Sequence, residues 1–226
     1  MSYGIITNMK GSDIHKLWPL LKKQVKTLNV PWLENMAVMD RDPFKVLISC
    51  ILSLRTQDNT TGKASERLFK LASTPEKLAY LSVGTIERAI YPVGFYRVKA
   101  GRIKEMSRVI VGRYNSKVPD EIDELLKLKG VGRKTANLVV TLGYNKQGVC
   151  VDTHVHRITN RWGYVKTKTP QETEFALRKK LPEKYWIEIN GLLVAFGQGI
   201  CKPISPLCSR CSINSYCERI GVIRFR

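Results

Sequence analysis

No run of 18 apolar residues occurs in this 226-residue sequence, so no segment reads as a membrane span. Met1 to Lys10 lacks the apolar core that a secretory leader needs. Both absences lead to the expectation of a soluble, cytoplasmic protein, nucleoid-associated if its source is prokaryotic. Period-two alternation of apolar and polar residues is weak everywhere, which leaves little from which to build a sheet. No internal repeat and no low-complexity tract is present, so solenoid and linker architectures are excluded. Acidic side chains are also scarce, 19 against 38 lysines and arginines, for a formal net charge of +19. That excess runs through the whole chain rather than a tail. It favours a polyanionic partner, nucleic acid before anionic membrane.

What is present is helical periodicity. A basic amphipathic helix is expected over residues 12–28, with Ser12 as its cap and Pro31 beyond its end, followed by a loop to about Arg41. Asp42-Pro43 reads as a cap with proline at the first helical position, opening an apolar helix through Val46, Leu47, Ile48, Cys50, Ile51 and Leu54. Cys50 is then a core residue. Further helices are expected over 59–71, 75–81, 85–90, 98–114, 120–128, from 133 to near Gly143, 153–162, 170–181 and 186–199. Tyr91 to Tyr96 forms a turn carrying aromatics.

The organising stretch is Leu125 to Asn137. Its leucines close one helical pattern, Gly130-Val131-Gly132 force a hairpin, and a second apolar helix begins at once. Two glycines allow positive φ and close backbone approach. The first-turn N–H groups of the second helix have no intrahelical partner and form a cradle for an anion. Arg133 and Lys134 sit on that first turn, where the helix dipole disfavours cations. Their placement makes sense if they face phosphate, or if Lys134 must act as a neutral amine. Gly-Val-Gly-Arg-Lys-Thr is not a nucleotide P-loop, because Arg133 and Leu128 stand where that motif requires glycine.

Six cysteines occur, and four of them, Cys201, Cys208, Cys211 and Cys217, follow the spacing C-x6-C-x2-C-x5-C. Four thiolates on a short loop can close round a metal centre. Zinc sites usually show two C-x2-C pairs; one pair with unequal flanking gaps suits an iron–sulfur cluster better. Lys202, Arg210 and Arg219 on or beside the loop add positive charge. Asp152 precedes a helix and reads as an N-cap. His154 and His156 do not share one helix face, so a second metal site there is not expected, and contact with solvent or phosphate is.

Taken together, Leu128 to Ala136, Val151-Asp152-Thr153-His154 and the four-cysteine spacing resemble the endonuclease III family, over about Asp42 to Cys217 and in the right order. The resemblance implies an all-α fold of two helical domains with a DNA-binding cleft between them. One is a six-helix domain over 36–146 containing the helix-hairpin-helix; the other joins 1–35 to 147–226 and carries the cluster loop. It implies a bifunctional DNA glycosylase that excises oxidised pyrimidines, flipped out of the duplex, and then cuts the strand at the abasic site. Lys134 is implied as the nucleophile and Asp152 as its supporting carboxylate. One [4Fe-4S] cluster is implied on the four cysteines. Double-stranded DNA with damaged bases or abasic sites is the implied partner, met by a monomer.

Lys129, Gly130, Val131, Gly132, Arg133, Arg55, Phe95 and His154 are implied as DNA contacts. Two positions depart from the family. Arg55 replaces the glutamine that fills the space left by the flipped base, and as a pure donor it favours guanine's acceptor edge. Lys129 replaces a frequent proline in the hairpin. Monofunctional relatives carry Ser or Tyr where Lys134 stands. A non-catalytic DNA-binding module would not need Lys134 with Asp152, and an iron–sulfur electron carrier would need neither the hairpin nor the charge.

Overall fold

A computed structural model describes residues 13–28 and 31–226, and its regular structure is helical, with no strand among the described residues. The Ser12 cap and the reading of Met1 to Lys10 lie outside those residues. In chain order the helices are α1 Ile14–Val25, α2 Trp32–Met39, α3 Pro43–Ser53, α4 Asp58–Leu71, α5 Pro75–Tyr80 and α6 Val83–Ile90. They continue with α7 Tyr96–Tyr114, α8 Ile122–Leu126, α9 Arg133–Leu138, α10 Thr153–Arg161, α11 Pro170–Lys180 and α12 Ile189–Gly199. No described helix is long and apolar enough to cross a membrane. The chain divides into two compact units, one formed by Met1–Pro31 and Val149–Arg226, the other by Trp32–Gly148.

The unit Trp32–Gly148 is built round α3, whose Val46, Leu47, Ile48, Ile51 and Leu52 are fully buried. A helix apolar all round must be enclosed, and α3 packs on α2, α4, α7, α9 and a π-helical turn, Val139–Gly143, that prolongs α9. Its start is fixed as its sequence dictates: the Asp42 carboxylate accepts from the Phe44 and Lys45 amides, with Pro43 next. The same logic starts α5 at Thr74-Pro75 and α11 at Thr169-Pro170.

The loop expected up to Arg41 is instead largely α2. Its cap is not local: the Trp32 amide donates to the Asp58 carboxylate at 2.6 Å, 26 residues away. The Trp32 indole packs against Gly62, where an added Cβ would sit 2.7 Å from the ring. Tertiary contact thus makes a helix from a stretch that carries no strong signal of its own. Helix α8 is shorter than expected, and the last long helix begins at Ile189, after a 3-10 turn over Glu183–Tyr185.

Helix α2 also half-buries Glu34, whose carboxyl is pushed up from 4.5 to about 7 by that burial. A carboxyl that holds its proton more tightly when folded contributes stability that is complete below pH 4.5 and lost as pH rises through about 7. The loss is on the order of 3 kcal/mol at most. Glu34→Gln should therefore raise the unfolding midpoint at pH 8 while leaving it unchanged near pH 4, as measured by thermal melts across that range. Equal effects at both pH values would contradict the burial of an ionisable Glu34.

The other unit has its own core, in which Leu17, Trp18 and Leu21 of α1 join Val155, Ile158 and Trp162, Leu177, and Leu193 and Phe196 of α12. Trp18 stacks on Tyr185 at 4.2 Å between centroids and donates its indole N–H to Glu188. This gives the amphipathic α1 its partner, with its basic face left to solvent.

Candidate active site and metal centre

In the hairpin between α8 and α9, Leu125, Leu128 and Val131 are buried, while Lys129, Gly130 and Gly132 are exposed. The alternation anchors the turn by its apolar residues and offers the rest outward. The Leu128 amide donates to Leu125 O and the Val131 amide to Leu128 O, at 3.1 and 3.0 Å. Of the two glycines expected at positive φ, only Gly130 takes it, at +93°, and a Cβ there would also meet the Arg102 side chain at 2.5 Å. Gly132 has φ −103° and ψ 175°, extended backbone open to any residue, and a Cβ on it would meet nothing within 4 Å. The fold requires glycine at 130 and not at 132.

What Gly132 provides is therefore room for something outside the chain to approach the backbone at the start of α9. Gly132→Ala should change stability by no more than about 1 kcal/mol, the scale of an N-cap exchange. It should weaken duplex binding at least tenfold, read by fluorescence anisotropy. Unchanged affinity would remove the hairpin from the interface.

Arg133 and Lys134 occupy the first turn of α9, both half-buried. The Lys134 ammonium is felt at the thiol of Cys50 in the core helix α3, where it acts against the upward push of burial and Glu34. Lys134 thus extends beside the interior of its unit. Burial wins at Cys50, holding the thiol up at about 12, so this cysteine is the inert core residue expected. Behind the first turn, Asn137 donates to Arg133 O at 3.0 Å and Thr141 Oγ1 to Asn137 O at 2.8 Å. Gly143 lets the π turn close against Pro43, where a Cβ would lie 2.9 Å from the proline Cα. The two bonds hold α9 and its π turn together, and packing of both on α3, with Gly143 against Pro43, fixes the root of Lys134.

In the same unit, Arg55 and Phe95 come together from two loops. Both take left-handed backbone, φ 53° and 60°, and both are exposed. The Arg55 guanidinium lies 5.6 Å from the centre of the Phe95 ring. A row of cations, Arg97, Arg102, Arg113, Lys127 and Lys129, lines a pocket beside the hairpin, with Glu105 as its one acidic side chain.

In the other unit, Asp152 caps α10. Its Oδ1 accepts from the His154 and Val155 amides at 2.8 and 2.9 Å, so both cap bonds fall on one oxygen and Oδ2 is outside the cap. The cap reading is thereby realised in a form that keeps one carboxylate oxygen for other work. His154 is half-buried with Nδ1 3.2 Å from Arg157 Nη2 and packed on Gly197 of α12. His156 is half-buried, and its Nδ1 lies 2.7 Å from Thr173 Oγ1 within the unit, a partner the sequence did not point to. The Thr173 hydroxyl, itself buried, thus holds one edge of the ring.

Cys201, Cys208, Cys211 and Cys217 line one pocket after α12, walled by Trp162, Phe196 and Leu207 among others. All four are free thiols. Burial pushes Cys211 up to about 12 and Cys217 to about 11 and raises Cys208. Such thiols give up their protons only to a strongly bound positive centre. Among the described residues no three His, Cys, Asp or Glu side chains are grouped to share a single ion. The four sulfurs line one pocket, and a set of four thiols is a donor set that suits a metal centre.

The sequence reading missed Arg161, which is 8% exposed in this wall. Its Nη1 lies 3.5 Å from Cys201 Sγ and donates to Lys202 O at 2.7 Å, and its Nη2 donates to Pro203 O at 2.7 Å. Nothing in the cysteine spacing points to a residue 40 positions upstream. Arg219, read as displayed charge, is half-buried and also donates to Asn214 Oδ1 at 2.6 Å, bracing the loop.

Comparison with known proteins agrees with this geometry. Residues 48–183 match the HhH-GPD superfamily of base excision DNA repair proteins. Endonuclease III of Thermotoga maritima is 54% identical over 179 residues, which cover 79% of this chain and 84% of that one. A trapped endonuclease III–DNA covalent intermediate superposes with a TM-score of 0.81 at 31% identity, covering 93% of this chain and 96% of that one. A thermostable thymine-DNA glycosylase gives 0.79 at 25% identity, covering 92% and 96%. The chain belongs to the HhH-GPD superfamily of base excision DNA repair proteins and, within it, to the endonuclease III family of DNA glycosylases with lyase activity.

Proposed function

We propose that Lys134 and Asp152 carry the chemistry of a bifunctional glycosylase acting on oxidised pyrimidines in duplex DNA. The observation that supports it best is the setting of Lys134, on the first turn of α9 directly behind the Gly-Val-Gly hairpin, its root fixed on the buried helix α3. The neutral amine of Lys134 attacks the sugar C1′, and the glycosidic bond breaks with its electrons leaving on the damaged base, which takes up a proton. The attached nitrogen gives up a proton and its lone pair opens the sugar ring, the C1′–O4′ bond breaking with its electrons on the ring oxygen, which takes up a proton. The resulting protonated Schiff base to C1′ draws electrons from the adjacent C2′–H. Loss of that proton expels the 3′ oxygen and cuts the strand, and water then releases Lys134. Asp152 offers negative charge to the cationic sugar through the oxygen its cap leaves over, while the cap keeps the carboxylate from rotating. In water-poor surroundings such a charge is worth far more than in bulk solvent.

Lys129, Gly130, Val131, Gly132 and Arg133 bind one phosphate run through backbone amides and charge, Arg55 and Phe95 enter the distorted duplex, and His154 adds a contact beside Asp152. One [4Fe-4S] cluster on Cys201, Cys208, Cys211 and Cys217 would supply a structural tie for the loop over 201–217. The protein acts as a monomer on damaged or abasic duplex.

The test is borohydride trapping on duplexes containing thymine glycol, an abasic site or no lesion. A covalent adduct is expected with the first two and none with the third. An adduct with the abasic duplex alone would reduce the reading to a lyase or move it to another lesion. Affinity should fall steeply with salt, since several phosphates are neutralised; a flat salt response would count against the interface.

A further inference from the structure

Neither Arg55 nor Phe95 is glycine, yet both hold the left-handed backbone, which a bulky side chain adopts only when its surroundings impose it. The surroundings here converge on one side chain. Lys99, in the first turns of α7, is 5% exposed. Its Nζ donates to Leu52 O at 2.8 Å, Leu54 O at 2.6 Å and Thr56 Oγ1 at 3.2 Å. The three acceptors bracket Arg55 on both sides. Thr56 passes the connection on, because its Oγ1 also accepts from the Gly94 amide at 3.2 Å. Gly94 must be glycine, since a Cβ there would lie 2.5 Å from Arg55 O. The next residue is Phe95.

We propose that Lys99 is a positioning residue that locks the Arg55 loop and the Phe95 turn into one rigid two-residue wedge for entering damaged DNA. The inference rests on the glycosylase reading above for what the wedge enters, and adds the device that holds it. A lysine ammonium has three donors and no acceptor, and here every donor goes to a group within three residues of Arg55. Burial, helped by the charge of Arg102, lowers its pKa to about 8, so at neutral pH the ammonium with all three donors predominates. Without it, Leu52 O loses the ammonium, Leu54 O keeps only the Thr56 hydroxyl at 3.3 Å, and both left-handed residues are released to the ordinary backbone regions. The wedge would then have to be ordered at the moment of binding, at a cost in affinity for distorted DNA alone.

Two variants test this, Lys99→Met, which keeps the buried stem and removes the donors, and Thr56→Val, which removes the hydroxyl joining Lys99 to the Gly94 amide and leaves Lys99 its two carbonyl acceptors. The readouts are thermal unfolding and affinity for a duplex holding a tetrahydrofuran abasic analogue against the same duplex undamaged. The expected result is a loss of roughly tenfold in the damaged-to-undamaged ratio for each variant, with undamaged binding unchanged. In an Arg55→Ala background, Lys99→Met should cost little more, since the interaction is already gone. An unaltered ratio in Thr56→Val, or losses from Lys99→Met and Arg55→Ala that simply add, would overturn the proposal and leave Lys99 a core group. Thr56→Val keeps the question decidable if Lys99→Met does not fold. Wild type showing no preference for the damaged duplex would instead overturn both the glycosylase reading and the wedge, whereas failure of the wedge alone leaves the wild-type preference intact.

Discussion

Lys134→Ala should abolish borohydride-trapped adduct on both thymine glycol and abasic duplexes and lower strand cleavage by about a thousandfold or more. That is the scale on which removing a covalent nucleophile acts, since no neighbouring group then forms the bond. Lys134 is half-buried on the first turn of α9, and the rest of that turn is fixed by Thr135 and Ala136, both buried. Truncation at 134 therefore leaves the helix standing, and duplex affinity should fall only by the contribution of one cation. Asp152→Asn separates charge from capping. Asparagine caps a helix as well as aspartate does, so α10 should keep its start, bound through the His154 and Val155 amides. Base excision should nevertheless slow by about two orders of magnitude or more, as for loss of one preorganised electrostatic group. An Asp152→Asn enzyme of full activity would show that the residue is a cap and nothing else. A Lys134→Ala enzyme that still forms adduct would move the nucleophile elsewhere.

The second large effect concerns the cysteines. Cys211→Ser should yield protein without the visible absorbance of an iron–sulfur centre and with iron content near zero. Unfolding should begin at lower temperature, with a loss of several kcal/mol, the order of magnitude by which structural metal sites support small folds. The loop over 201–217 explains the size: its order comes from short 3-10 turns, Cys208–Arg210 and Asn214–Tyr216, and from Arg161 and Arg219, with no long helix to sustain it. Cys150→Ala is the control, because Cys150 is buried outside that pocket and should leave iron content unchanged. Zinc in place of iron in wild type would keep the four ligands and overturn the cluster. Full iron retention in Cys211→Ser would overturn the ligand set itself.

Helix starts were legible wherever the chemistry is local. Asp42-Pro43, Thr74-Pro75 and Thr169-Pro170 each carry a side-chain acceptor and a fixed φ within three residues, and each begins a helix where expected. The hairpin and the cysteine order were legible for the same reason, since a turn or a ligand loop is specified by neighbours in sequence. The charge alone pointed to a polyanion.

What only the tertiary structure decided lies at longer range. Helix α2 exists because Asp58 caps it and Gly62 admits Trp32, and neither signal lies in its own segment. Only the folded hairpin distinguishes Gly130, which the backbone demands, from Gly132, which it does not. Lys99 reads as one more cation on a basic helix until three acceptors from the Arg55 loop are brought round its buried amine. Arg161 becomes part of the cysteine pocket only when α10 is folded against residues 40 positions later in the chain. Hydrogen bonds and burial at such separations follow from packing rather than from local propensity, so the sequence determines them only through the whole fold.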